Sequence, residues 1–186
     1  MSQEQFYDHL EIILHLVKKT EEITRIKTVE ESWEEAKRLT DRFMSEYFKL
    51  YLMLKDNSNL KLDEKYKNFV EQSQFFLKGL TSELDRYVIG LENRLRSTFY
   101  SDEWETVICP GRSAVEAVKE IYRGTSFEEF YEGENSEALI LDTEDLDLSI
   151  EMRAHKEGYL KEDQIPKEIP TSHWWWWSPE EPPSSR

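Results

Sequence analysis

The chain has 186 residues, a formal net charge of −15, and 38% hydrophobic, 34% charged and 13% aromatic residues. That length and aromatic content suffice for a packed core and exclude an intrinsically disordered chain. The acidity is one-sided, with 18 acids against 16 bases in residues 1–100 but 21 against 8 in residues 101–186, so the surface would repel phosphate backbones and direct nucleic-acid binding is not expected.

In chain order, Phe6, Leu10, Ile13 and Val17 recur at spacings of three and four, which predicts a first helix with one stripe facing a core. Thr28 with Glu31 has the spacing of a reciprocal helix cap, and a second helix follows on the stripe Trp33, Ala36, Leu39, Phe43, Tyr47, Leu50 and Leu54. It should stop at Asp56-Asn57-Ser58-Asn59, whose short polar side chains compete for backbone hydrogen bonds. A third stripe runs from near Asp63 through Tyr66, Phe69, Phe76, Leu80, Leu84, Val88, Leu91, Leu95 and Phe99. Gly79 could end it, but the apolar phase passes through unchanged, which predicts one continuous helix roughly 55 Å long. A helix of that length would project or pair with another copy, so a homodimer through the first hundred residues is an expectation.

Beyond Tyr100 the texture changes. Pro110-Gly111 reads as a break, with Ser113 and Glu116 opening a short helix that Gly124 stops. Ser126 and Glu129 suggest another helical turn. Ala138 to Leu141 and the alternation Leu146, Leu148, Ile150, Met152 read as a small hairpin, because period two belongs to strands. From Gly158 the steps Ile165-Pro166 and Ile169-Pro170 favour an extended, polyproline-like approach to His173 and the run Trp174, Trp175, Trp176, Trp177. The expected organisation is mainly α: a three-helix bundle or long helical hairpin in residues 1–100, an acidic α+β section in 101–157 packed on it, and an extended Pro/Trp-bearing tail in 158–186.

Four consecutive tryptophans are the feature that composition does not explain, since no regular element buries all four on one face. Either the tail folds back and packs the rings on the protein's own helices, or Trp174 to Trp177, with His173, Ile165 and Ile169, form an aromatic docking segment for a partner. The second candidate surface is acidic. Ten acids and no base separate Arg123 from Arg153, among them Glu128, Glu129, Glu132, Asp142, Glu144, Asp145 and Asp147, a set suited to solvated surface or to meeting a basic partner.

Chemistry-bearing patterns are sparse. The acidic stretch lacks the central glycine and closing glutamate of an EF-hand, the four histidines do not pair at ligand spacing, and no phosphate loop, nucleophile elbow or HExxH pattern occurs. No metal, cofactor or catalytic group is therefore expected. Cys109, the lone cysteine, allows no internal disulfide and follows Val107-Ile108 as a buried small hydrophobe would. With no signal-like opening and no run of roughly 18 apolar residues, a cytoplasmic protein is expected. The expected function is non-enzymatic: an adaptor, assembly factor or regulator engaging a protein partner through the aromatic segment and the long helix. The alternative is an acidic inhibitor or antitoxin-like protein that blocks a basic, nucleic-acid-binding site on its partner.

Overall fold

A computed structural model describes residues 2–26, 30–97, 103–132, 141–157 and 160–177. Seven α-helices lie among them: α1 (Gln3–Ile26), α2 (Glu30–Asp56), α3 (Glu64–Leu77), α4 (Thr81–Ser97), α5 (Cys109–Ile121), α6 (Ser126–Glu132) and α7 (Glu144–Glu157). The proposed cap at Thr28 falls outside the described residues. α1 and α2 form an antiparallel hairpin, fixed near one end by His9 Nε2 at 3.0 Å from the Glu46 carbonyl and near the other by Lys19 at 3.6 Å from Glu35. α3 returns beside α1, where the Tyr7 hydroxyl donates to Asp63 at 2.7 Å and the Phe6 and Tyr66 rings lie 6.4 Å apart. The apolar stripes face inward along most of their length: Phe6, Ile13, Phe43, Leu50, Leu84 and Leu91 are buried and Phe76 is partly so, whereas Trp33 at the head of the second stripe is left exposed.

The third helix is not continuous. Lys78-Gly79-Leu80 forms a tight turn in which Gly79 N–H donates to Phe76 O and Leu80 N–H to Leu77 O, both at 2.9 Å, dividing the stripe into α3 and α4. Leu77, Leu80 and Leu84 are all fully buried. The short turn therefore redirects the chain while both halves keep feeding one core, which is why the apolar phase does not betray it. The projecting helix that motivated pairing between copies disappears with this turn.

Two further expectations are corrected in the second half. Pro110-Gly111 does not break the chain: a π-helical turn, Trp104–Ile108, leads straight into α5, and the Cys109 N–H reaches back to Trp104 O. The wider π turn makes room for the proline ring that an α-helical turn would exclude. Gly111 also brings α5 close to α4, since a Cβ there would lie 2.5 Å from Leu91 Cδ2. The expected strand at Leu146–Met152 is the middle of α7, and no strand occurs among the described residues. Leu146 and Ile150 are buried while Leu148 and Met152 are exposed, so two helical i, i+4 pairs on different faces mimic alternation. The start is set by Asp142, whose side chain accepts from Glu144 N–H at 3.0 Å, and by an acidic first turn. Leu141 just before it takes a left-handed φ of 60° and is fully buried. The Ala138 to Ile140 part of the expected hairpin lies outside the described residues.

α5 packs on α2, and α7 on α4. Their junction with α3 holds an ordered chain of hydroxyls. Ser73 donates to the Phe69 carbonyl at 2.5 Å, so Tyr122 must donate to Ser73 and Tyr47 to Tyr122, both at 2.6 Å. Burial pushes the Tyr47 and Tyr122 hydroxyls well above their ordinary pKa. No described helix is long and apolar enough to cross a membrane.

Candidate functional site

The C-terminal segment 160–177 is not an extended strap. It descends in short turns, with Ile169 N–H bonded to Pro166 O at 3.1 Å and His173 N–H to Pro170 O at 2.9 Å, and ends in a 3₁₀ turn at Trp174–Trp176. Ile165, Ile169, His173, Trp175, Trp176 and Trp177 are buried in the protein's own fold and Trp174 partly so. The turn, which a strand would not provide, lets successive rings enter the same body.

Ser113 on α5 organises that cluster. Its Oγ receives the indole N–H of Trp175 at 3.0 Å and of Trp176 at 2.9 Å and lies 3.0 Å from His173 Nδ1. Both lone pairs are taken by donors, so the hydroxyl proton goes to Nδ1 and the imidazole carries its own proton on Nε2. That Nε2 is buried with no hydrogen-bond partner among the described residues. The ring is stacked between Tyr51 and Trp175, at centroid distances of 5.6 and 4.7 Å. Burial, and then the charges of Arg112 and Lys55, push its pKa down to about 3, so it is neutral near pH 7. A serine beside a histidine has the outline of a nucleophile and base, but this hydroxyl is fully buried and capped by two indoles. Here the pair serves as a clasp.

Arg112, one residue earlier, joins α5 to α7 and to the tail. Its guanidinium holds Asp147 through two bonds of 2.7 and 3.0 Å, reaches Glu116 at 3.1 Å and lies 4.2 Å from the centroid of the Trp175 ring. Asp147, one of the acids read as surface, is thus consumed internally. Glu128, partly buried, accepts from Gly124 N–H, whereas Glu129, Asp142, Glu144 and Asp145 are exposed; the Glu132 side chain lies outside the described residues. Cys109 is buried against the Trp175 carbonyl at 3.2 Å, and its thiol is pushed well above its ordinary pKa by burial and by Glu105, the reverse of what a reactive cysteine needs. Among the described residues no three His, Cys, Asp or Glu side chains converge on a metal site.

With the aromatic segment packed inward, an open, mostly apolar groove of about 580 Å³ lies between α2 and α4. The α2 wall carries Trp33, Ala36, Thr40, Ser45 and Phe48, the α4 wall Tyr87, Ile89, Gly90 and Leu91, and Val107, Pro110 and Gly111 close one end. Trp33 and Ile89 are 45% and 44% exposed, large apolar groups left facing water. The polar rim is already paired: Lys37 with Asp41 at 3.2 Å, Arg86 with Glu83 at 3.1 Å and Arg94 with Glu103 at 3.8 Å. Burial and the Asp41 carboxylate raise the Tyr87 pKa above its ordinary value. Phe48 lies 6.0 Å from the His173 ring, so the clasp supports the groove from behind.

Sequence reasoning missed Ser113, Arg112, Tyr87 and Gly90 as site residues. Two left a trace: Arg112 is the lone base between Arg96 and Lys119, and Gly90 sits inside a strong helical pattern, where glycine costs stability without a local reason. No family model matches the chain, and no curated protein or solved structure does either.

Proposed function

We propose that the protein is a non-enzymatic interaction protein whose partner, another protein, seats apolar side chains in the groove between α2 and α4. The observation that carries this reading is Gly90. It lies in the middle of α4, lines the groove, and a Cβ built on it would have nothing within 4 Å. Interior glycine costs a helix about 1 kcal/mol relative to alanine, and here neither a turn nor internal packing requires it. An open floor for an occupant accounts for that cost. The surroundings have the anatomy of an interface: an apolar centre with two exposed large side chains, ringed by charges that already have partners. The aromatic C-terminal segment then acts as a buttress, holding Phe48 and α5 behind the groove.

The test is affinity capture from the native host with the full chain, comparing the unmodified protein with Gly90→Met and with Ile12→Ser, a change on an exposed face of α1 outside this groove. The reading expects a captured protein that Gly90→Met loses and Ile12→Ser keeps. If every captured protein survives Gly90→Met, the groove is not the docking site.

A further inference from the structure

We infer that the outer face of α7 is a second interaction surface, independent of the α2–α4 groove and fitted to a basic protein segment with an apolar ridge. Leu146 and Ile150 turn one side of α7 inward and are buried, while Leu148 and Met152, one turn apart, are 55% and 56% exposed. On a helix the surface neighbours of a residue stand three and four positions away, and for Leu148 these are Glu144, Asp145, Glu151 and Met152. All four are exposed. The face is therefore an apolar pair with acids on both sides and no base, spanning two turns or roughly 12 Å. Methionine suits such a contact, because its flexible, polarisable side chain adapts to an incoming surface.

Charge on the face itself selects the partner. Glu144, Asp145 and Glu151 make no ion pair among the described residues. The bases nearest in the fold are already spent: α7 packs on α4, whose Arg86, Arg94 and Arg96 are held by Glu83, Glu103 and Glu92, and Arg112 is held by Asp147 and Glu116. Three uncompensated carboxylates within two turns repel nucleic-acid phosphates and anionic headgroups. The half of the chain that carries α7 reinforces them, with 21 acids against 8 bases in residues 101–186. A protein segment bearing lysine or arginine beside an apolar ridge answers both features at once, since its cations face the carboxylates while Leu148 and Met152 lose water. A two-turn contact is small, so the association is expected to be fast and sensitive to salt.

The experiment titrates two synthetic helical peptides, which share a leucine face and carry lysine or glutamate beside it, into the isotope-labelled full chain and follows its amide resonances by NMR. The lysine peptide is expected to shift the amides of residues 144–152, and the glutamate peptide to leave them in place. Two variants of the face, Glu144→Gln/Asp145→Asn/Glu151→Gln and Leu148→Ser/Met152→Ser, should each weaken the lysine peptide by about tenfold or more. The second keeps the acids of the first turn of α7, so its loss is not one of helix stability. Asp8→Asn/Glu11→Gln/Glu22→Gln removes the same charge from exposed positions of α1 and should change affinity by less than about threefold, as should Gly90→Met. Equal losses in the two neutralised variants would mean attraction to total charge, and an unchanged affinity in Leu148→Ser/Met152→Ser would mean bare charge without docking; either overturns the inference. So does equal binding of the glutamate peptide, or no shift at α7, and both leave the groove to the capture experiment. Shifts that map to the groove and vanish in Gly90→Met would overturn the α7 surface while supporting the groove.

Discussion

His173 gives the protein an acid limit that can be calculated and tested. In the folded chain its imidazole is enclosed by Ser113, Tyr51, Phe48 and Trp175, with Arg112 and Lys55 close enough to oppose its charging, and its pKa is pushed down to about 3. Unfolded, the same ring titrates near 6.5. The unfolded chain therefore binds the proton first, so the contribution of this group to stability is whole above pH 6.5 and is lost as pH falls toward 3. Between pH 7 and pH 5 the loss is about 2 kcal/mol, which for a chain of this size lowers Tm by roughly 4–8 °C. The assay is thermal unfolding at both pH values for the unmodified protein and His173→Gln, whose amide oxygen can still accept the Ser113 hydroxyl. Carboxylates titrate in both proteins and cancel, so the variant should show the smaller drop whatever its stability at pH 7. Equal drops, or a His173 ring that protonates near pH 6.5 by NMR, would refute the clasp as described.

Tyr122→Phe should cost about 1–3 kcal/mol, because it leaves the Tyr47 hydroxyl and Ser73 without the group that joins them; an unchanged denaturation midpoint would mean that water replaces it. Gly111→Ala should cost about 1–3 kcal/mol, since the new methyl would meet Leu91, which also lines the groove, and the same variant should weaken whatever the groove binds. A neutral result in unfolding and binding together would show that α4 and α5 can part more easily than their contact implies.

Much of the helical bundle is legible in the sequence, because helix formation is local: a stripe at spacings of three and four and a polar cluster such as Asp56 to Asn59 declare themselves within a few turns. The sequence likewise identified the tryptophan run as needing cover. It did not reveal the turn at Gly79, because three redirected residues keep the apolar phase. Nor did it separate strand from helix at Leu146 to Met152, where four apolar residues two apart satisfy both periods until burial shows which pair faces in. The candidate sites depend on groups far apart in the chain. Ser113 saturates its hydroxyl with residues more than sixty positions away, Arg112 spends Asp147 across two helices, and Gly90 is informative because nothing fills the space beside it. Periodicity and composition carry no record of such distances. Tertiary packing decided which tryptophans face inward, which acids are neutralised and which apolar surface remains open, because each is settled by the neighbours that the fold brings together.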